Sequence, residues 1–157
     1  MLKRNDTAPF DLLSWLEGDT RAEGVFEDRQ GRIRRRFTVD MTGVAEGNVL
    51  RLEETFLFDD GERQQRQWIL TRGAAGSFTG RAGDSVSEAE GRFEPGVAYL
   101  ESELKLRVGT REVAMRFDDA FYATGSDTVL NRSTVSKWGI RLGQVLILFR
   151  KPAQRSP

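Results

Sequence analysis

The sequence contains neither histidine nor cysteine. These absences exclude Ser-His-Asp triads, thiol nucleophiles, the usual zinc sites and any disulfide that could stabilise the fold. There is no glycine-rich phosphate loop of the GxGxxG or GxxxxGK[ST] type, and no Asp-x-Asp-x-Asp-Gly calcium loop. The sequence therefore predicts no metal site and no cofactor. Any acid–base chemistry would depend on carboxylates or tyrosine whose pKa values are shifted by burial.

Long apolar stretches are absent as well. No segment reaches the roughly 20 apolar residues that a membrane-spanning helix needs, so we expect no transmembrane segment. Lys3 and Arg4 stand near the N-terminus without an apolar run behind them, and no signal peptide is visible. We expect a cytoplasmic protein from the chain as written, with the cell envelope as the alternative if a leader was removed.

The charge of the whole chain gives no indication of a charged partner. The 24 basic residues are balanced by 24 acidic ones, so no nucleic-acid partner is expected. A chain of 157 residues is long enough to bury about 70% of its unfolded surface in one domain. We expect a single domain over residues 9–151, with tails at residues 1–8 and 152–157. The oligomeric state stays open.

Alternating apolar and polar residues run along nearly the whole chain. About ten such segments are separated by turn residues such as Asp60-Gly61, and no alternation of strands with helices suggests a parallel sheet. The one helical candidate, "APFDLLSWLEG", spans two or three turns at most and ends at Gly18. Closure into a barrel would remove exposed strand edges. The predicted fold is an all-β, antiparallel, up-and-down calycin/lipocalin-like β-barrel of about eight to ten strands with one short N-terminal helix.

Charged residues interrupt several strand faces that are otherwise apolar. Glu54 is in register with Leu52 and Phe56, and Asp119 is in register with Phe117 and Phe121. An unpaired charge in a barrel interior costs several kcal/mol, so these groups should pair with one another or with a ligand. The alternative is that the charges lie at strand ends, or serve only to fix strand register. The residues concerned are Asp28, Arg35, Glu54, Arg66 and Asp119.

A polar strand near the C-terminus adds to this pattern. The segment "VLNRSTVSKWG" places Asn131 and Arg132 on opposite faces of one strand. A wet barrel interior explains the inward polar residue better than a wet sheet edge does. Trp68 and Trp138 are expected in the barrel core or at its mouth, and Trp15 is expected to help plug one end of the barrel.

A set of ordered motifs resembles the DUF3833 family, a bacterial family of unknown function. The motifs are Asp-Arg-x-Gly, Glu-x-Phe-x-x-Asp-Asp-Gly, Arg-x-Trp, Phe-Asp-Asp and Asn-Arg-x-x-x-Ser-Lys, and the resemblance covers about residues 12–151. Many family members resemble lipoproteins with a lipidated cysteine ahead of the domain, which this chain lacks. The resemblance completes the candidate ligand-binding set, in which no catalytic residue is assigned: Asp28, Arg35, Glu54, Arg66, Trp68, Asp84, Asp119, Asn131 and Arg132.

Three functions remain open at this point. The first is a barrel that binds a small amphipathic or lipid-like ligand, with an anionic head meeting Arg35, Arg66 or Arg132. Its tail would meet aromatic residues, namely Phe26, Phe56, Trp68 and Phe117. The second is a histidine-free enzyme of isomerase or cyclase type, with Glu54 or Asp119 as the base. The third is a structural or interaction protein whose core is filled by its own side chains.

Overall fold

The computed structural model describes residues 8–152, in which ten strands form one closed antiparallel barrel. Each strand pairs with its neighbours in the chain, and the first strand pairs with the last. The all-β barrel with one short helix predicted from the sequence is therefore confirmed. The elements are α1 (Leu12–Trp15), β1 (Gly18–Asp28), β2 (Ile33–Glu46), β3 (Val49–Phe58), β4 (Arg63–Arg72), β5 (Ser77–Ala82), β6 (Ala89–Glu94), β7 (Val97–Val108), β8 (Arg111–Ala123), β9 (Thr128–Lys137) and β10 (Ile140–Arg150).

The strands have an inner apolar face and an outer polar face. In β3, Leu50 and Leu52 are buried in the lumen, while the alternate residues Arg51 and Glu53 are exposed. Successive side chains of a strand point to opposite sides, so this alternation in the sequence becomes the inside and the outside of the barrel. The predicted tails lie outside the described residues, apart from Ala8 and Pro152.

One end of the barrel is closed by α1. Leu12, Leu13 and Leu16 are buried against the core, and the Trp15 indole Nε1 donates a hydrogen bond of 3.2 Å to the carbonyl of Ser126. Ser126 lies in the turn between β8 and β9, at the same end as the β2–β3, β4–β5 and β6–β7 turns. We call this end the plugged end.

The helix is short, within the limit that the sequence predicts. It forms a single turn, capped by Asp11, whose Oδ1 accepts a hydrogen bond of 3.1 Å from the backbone N–H of Ser14. Pro9 pairs with Pro95 in an isolated β-bridge instead of entering the first turn. The single turn lies within the predicted limit of two or three turns, and it is short because the sheet holds Pro9 on one side while β1 begins at Gly18 on the other.

The opposite end of the barrel carries the turns at residues 29–32, 59–62, 83–88, 109–110 and 138–139. We call this end the mouth. No helix within residues 8–152 covers it, and none there is long and apolar enough to cross a membrane. The lumen and the mouth are therefore where a candidate site can lie.

Candidate functional site: a polar network in the barrel lumen

Glu54 is the buried carboxyl at the centre of the candidate site. It projects from β3 into the lumen and is the direct cross-strand partner of Arg66 on β4. Its Oε1 is shielded from solvent and has no hydrogen-bond partner among residues 8–152. Burial raises the pKa of Glu54 to about 7, with the Arg66 charge opposing the rise and the Asp119 charge adding to it. At neutral pH this carboxyl is therefore close to its titration midpoint.

Arg66 is held by a second carboxylate at the mouth. Its Nη2 donates to Asp84 Oδ2 at 2.9 Å, and its Nε donates to the same oxygen at 3.2 Å. Asp84 is fixed in turn by the backbone, because its carbonyl accepts a hydrogen bond of 2.7 Å from the Lys105 N–H on β7. The loop at residues 83–88 thus places Asp84 over the lumen, and Arg66 lies between two carboxyl groups.

Asp119 brings a third carboxyl from the other side of the barrel. It projects from β8, and its Oδ1 accepts a hydrogen bond of 3.1 Å from the side-chain amide of Asn131 on β9. The same amide donates to the Ala120 carbonyl at 3.2 Å, so both of its hydrogens are used. Burial raises the pKa of Asp119 to about 6, although Asn131 and Ser133 favour its charged form.

Ser133 is a lumen residue outside the candidate set predicted from the sequence. It lies directly opposite Asp119 across the β8–β9 pair, and its Oγ is buried without a well-formed hydrogen bond in the described structure. The strand period of two could have identified it, because Ser133 follows Asn131 by two residues on the same face. Glu54 Oε1 and Ser133 Oγ are thus two buried lumen atoms for which residues 8–152 provide no hydrogen bond of good geometry.

Aromatic and aliphatic side chains surround these polar groups. Most of these side chains face the lumen and pack against the core, and part of their surface is exposed to solvent. Trp68 is fully packed and pairs with Leu52 beside Glu54. The partly exposed members are Phe56, Phe58, Phe117, Phe121, Val145 and Ile147. The site thus combines an apolar wall, reachable in part by solvent, with a small number of polar groups.

Arg35 lies at the mouth rather than in the network. Its Nη2 donates to Glu62 at 2.8 Å and to Asp60 Oδ2 at 3.2 Å, and its guanidinium carbon lies 3.6 Å from the centroid of the Phe58 ring. Both carboxylates belong to the β3–β4 turn. Arg35 therefore fixes that turn against the rim of the lumen.

Asp28 and Arg132, two of the candidate residues, lie outside the lumen network. Asp28 Oδ1 accepts the backbone N–H groups of Gln30 and Arg32 at 2.9 and 3.0 Å, and these bonds, with that from Arg34, hold its pKa below the usual range. Arg132 is exposed on the outer face and donates a hydrogen bond of 3.0 Å to the Tyr122 hydroxyl. The interior position predicted for these two residues was wrong.

Trp138 also departs from expectation. It is 87% exposed at the tip of the β9–β10 hairpin, so neither a core position nor closure of the mouth describes it.

The barrel wall has two surface pockets, one at Leu57 and Leu146 and the other at Ile69 and Thr79. Both are lined mainly by outward-facing residues of the wall. They are therefore separate from the lumen network.

A closed antiparallel barrel with a few polar groups in an apolar lumen is the architecture of small ligand-binding barrels. This chain belongs to the DUF3833 family, described as a protein of unknown function, whose model matches residues 2–151. The resemblance found in the sequence motifs is thereby confirmed. No curated protein matches the sequence.

Solved structures of similar fold include the following two. One is an S-type phycobiliprotein lyase from Guillardia theta, with a TM-score of 0.62, 10% identity, and coverage of 90% of this chain and 92% of the lyase. The other is a protein of unknown function from the DUF3598 family of Nostoc punctiforme, with a TM-score of 0.63 and 15% identity. The match covers 94% of this chain but 51% of that protein. At these identities the likeness is one of fold.

Proposed function

We propose that this protein binds a small amphipathic molecule in the barrel lumen, with a hydrogen-bond donor of the ligand on Glu54. The observation that carries the proposal is the buried Glu54 Oε1, which has no partner within the described residues. An unsatisfied buried acceptor costs free energy that a donor group would recover. The partly exposed rings of Phe56 and Phe117 offer an apolar surface for the rest of the ligand.

The charges of the lumen favour a cationic or neutral donor over the anionic head expected from the sequence. Arg66 is already paired with Asp84, and Arg35 is paired with Asp60 and Glu62. Arg132 projects from the outer face. An anionic head would therefore meet the carboxyl groups of Glu54 and Asp119, and the part of the chain that the structure describes offers no free lumen cation beside them. Like charges at close range repel.

The test is displacement of a neutral fluorescent dye, Nile red, by amphiphiles that share a decyl chain. We expect decylamine to bind at least roughly tenfold tighter than decanoate near pH 8, where Glu54 is largely ionised, with decanol between them. Near pH 5 both lumen carboxyls are largely protonated, and the preference for the amine should shrink. A bilin belongs in the same panel, because one structural neighbour is a phycobiliprotein lyase and pyrrole N–H groups are donors.

Two variants separate the lumen from the surface. Glu54→Gln should remove the preference for decylamine while decanol still binds, because the amide keeps the shape and loses the charge. Glu53→Gln is the matched control, since Glu53 is the exposed neighbour on the outer face of β3. Tighter binding of decanoate than of decylamine would contradict the donor assignment. Failure of every ligand to displace the dye would favour the filled-core alternative.

A second candidate function is proton transfer. Glu54 and Asp119 have pKa values raised to about 7 and about 6 in an apolar lumen, and a general base works best with a pKa near the working pH. Glu54 would take a proton from the bound molecule, and Arg66 would stabilise the carboxylate before transfer. The test is a titration of the Glu54 carboxyl by ¹³C NMR. A pKa near 4 would remove the basis for this candidate.

A further inference from the structure

The mouth has an apolar edge on one side. The turns at residues 109–110, 138–139 and 29–32 follow one another around the barrel, because β7, β8, β9, β10, β1 and β2 are consecutive neighbours in the sheet. We call these three turns, with the strand residues that flank them, the lip. Large apolar side chains of the lip are exposed to solvent: Trp138 by 87%, Ile140 by 55%, Val108 by 54% and Ile33 by 43%.

Trp138 occupies a position where a bulky residue is unusual. Trp138 and Gly139 form the two-residue turn between β9 and β10, with φ angles of 53° and 75°. Two positive φ values indicate a type I′ turn, which favours asparagine or glycine at its first position. A large aromatic side chain in this conformation is an outlier, and outliers of this kind cluster at functional sites. The fold therefore holds an indole out into solvent at the tip of a hairpin.

The lip also carries cations without ion-pair partners. Five arginines there are exposed, and none forms a salt bridge within residues 8–152: Arg29, Arg32, Arg107, Arg111 and Arg141. Lys137 adds a sixth cation, with its Nζ 4.5 Å from the centroid of the Trp138 ring. Three acidic residues lie nearby. Glu27 accepts a hydrogen bond from Gln144, and Asp28 pairs with Arg34. Glu112 is the cross-strand neighbour of Arg107.

The rest of the mouth has the opposite charge. The turns at residues 59–62 and 83–88 contain the acidic residues Asp59, Asp60, Glu62, Asp84 and Glu88. The chain as a whole is neutral, so the excess of cations at the lip is a local separation of charge. A cationic surface with protruding aromatic and aliphatic side chains therefore occupies one half of the mouth.

We propose that the lip docks this protein on an anionic lipid surface. Surface-bound membrane proteins insert aromatic and aliphatic side chains at the depth of the headgroups, and arginines beside them contact the lipid phosphates. Trp138 and Ile140 would enter the bilayer interface, and Arg111 and Arg141 would lie against the headgroups. The aliphatic members Ile140 and Val108 favour lipid over nucleic acid, which would call for base-stacking rings in a basic groove. Docking goes beyond ligand binding and does not depend on which molecule the lumen takes.

The experiment is flotation of the intact protein with vesicles, followed by tryptophan fluorescence. We expect association with vesicles of phosphatidylcholine mixed with phosphatidylglycerol, weak association with phosphatidylcholine alone, and loss of association at high salt. Insertion of Trp138 should shift the emission to shorter wavelength and protect it from acrylamide. Trp138→Ser should weaken vesicle binding by roughly tenfold, and Arg111→Ala and Arg141→Ala by roughly fivefold each.

Val44→Ser is the matched control for these variants. Val44 is 54% exposed, as Val108 is, but it lies on β2 beside the β2–β3 turn at the plugged end. We expect Val44→Ser to leave vesicle binding unchanged, while Val108→Ser weakens it. All of the substituted side chains are exposed, so the variants should unfold at the same urea concentration as the parent protein.

Two results would overturn the proposal. One is failure to bind the anionic vesicles at low salt, or binding that Trp138→Ser and Arg111→Ala leave unchanged. The other is a concentration-dependent dimer in sedimentation velocity that Trp138→Ser dissociates, because the lip would then be covered by a second copy of the chain. Neither result bears on the displacement of Nile red measured with the parent protein and the Glu54→Gln variant. Failure of docking and failure of the proposed function can therefore be told apart.

Discussion

Glu54 and Asp119 project from opposite walls of the barrel into one electrostatically coupled site. The sheet connects them through β4, β5, β6 and β7 in one direction and through β2, β1, β10 and β9 in the other. The negative charge of Asp119 nevertheless raises the pKa of Glu54, so the two carboxyls interact across the lumen rather than along the wall. A ligand between them would contact both walls at once.

This coupling predicts opposite shifts in two variants. Asp119→Asn should lower the pKa of Glu54, because it removes a negative charge that opposes ionisation of Glu54. Arg66→Met should raise it, because Arg66 favours the ionised carboxyl. A ¹³C NMR titration of the glutamate side chains measures both shifts. Asp118→Asn is the control, since Asp118 pairs with Arg116 and is not among the charges that act on Glu54. If Asp118→Asn and Asp119→Asn shifted the pKa of Glu54 equally, coupling across the lumen would be contradicted.

Stability should fall as the pH rises through neutrality. Glu54 and Asp119 have pKa values of about 7 and about 6 in the folded protein, against reference values of 4.5 and 3.8. The folded state therefore binds more protons than the unfolded state between about pH 4 and pH 7, and its free energy of unfolding decreases across that window. We expect a loss on the order of 3 kcal/mol between pH 5 and pH 8, measured by urea unfolding.

Glu54→Gln tests the origin of this pH dependence. The amide cannot ionise, so the variant should be more stable than the parent near pH 8 and should show a flatter pH profile. Glu53→Gln should keep the parent profile, because Glu53 is exposed. The carboxyls of Asp11, Asp28 and Glu62 have lowered pKa values, and their contribution changes below their reference values of 3.8 to 4.5, which is below the measured range of pH 5 to pH 8. A profile that Glu54→Gln leaves unchanged would show that other groups set it.

The two ion pairs Arg66–Asp84 and Arg21–Asp40 should differ in their effect on stability. The side chains of the first pair are 19% and 29% exposed, and those of the second are 78% and 68% exposed. Asp84→Asn leaves Arg66 poorly solvated and should cost about 1–3 kcal/mol in unfolding free energy. Asp40→Asn should cost less than about 1 kcal/mol, since water replaces the lost partner. Equal losses in thermal unfolding of the two variants would contradict the buried position of the Arg66 pair.

The alternation of side chains made much of the lumen predictable from the sequence. Glu54, Arg66 and Asp119 lie in the middle of long strands, where a period of two carries each residue to the same side as its apolar neighbours. Leu52 and Phe56 flank Glu54 in this way. Closure of the barrel then brings these walls together, and the strand pattern indicated closure through the absence of any helical crossover.

The errors at Asp28 and Trp138 occurred where strands end, whereas Arg132 lies in the middle of β9, on the face opposite Asn131. The register shifts between Phe26 and Glu27, so Asp28 is directed to its own turn rather than to the lumen. Trp138 occupies a hairpin tip, and hydrophobicity alone cannot distinguish a buried indole from one held in solvent. The pairing of Asp84 with Arg66 depends on loop 83–88 folding over β7, a contact between segments that the local sequence pattern does not specify.

Closure of the plugged end depends on Gly43. This residue of β2 lies under Leu16, the C-cap residue of α1, where a Cβ atom would overlap the backbone carbonyl of Leu16. Gly43→Ala should force the helix away from the sheet and cost roughly 2 kcal/mol in unfolding free energy. The hydrogen bond from Trp15 to Ser126 should loosen, which increased acrylamide quenching in a Trp138→Phe background would detect, since the remaining emission comes from Trp15 and the buried Trp68. Gly83→Ala is the control, since a Cβ there meets open space, and it should change stability by no more than about 0.5 kcal/mol. Equal stability of the two variants would mean that α1 is not seated on Gly43 in solution.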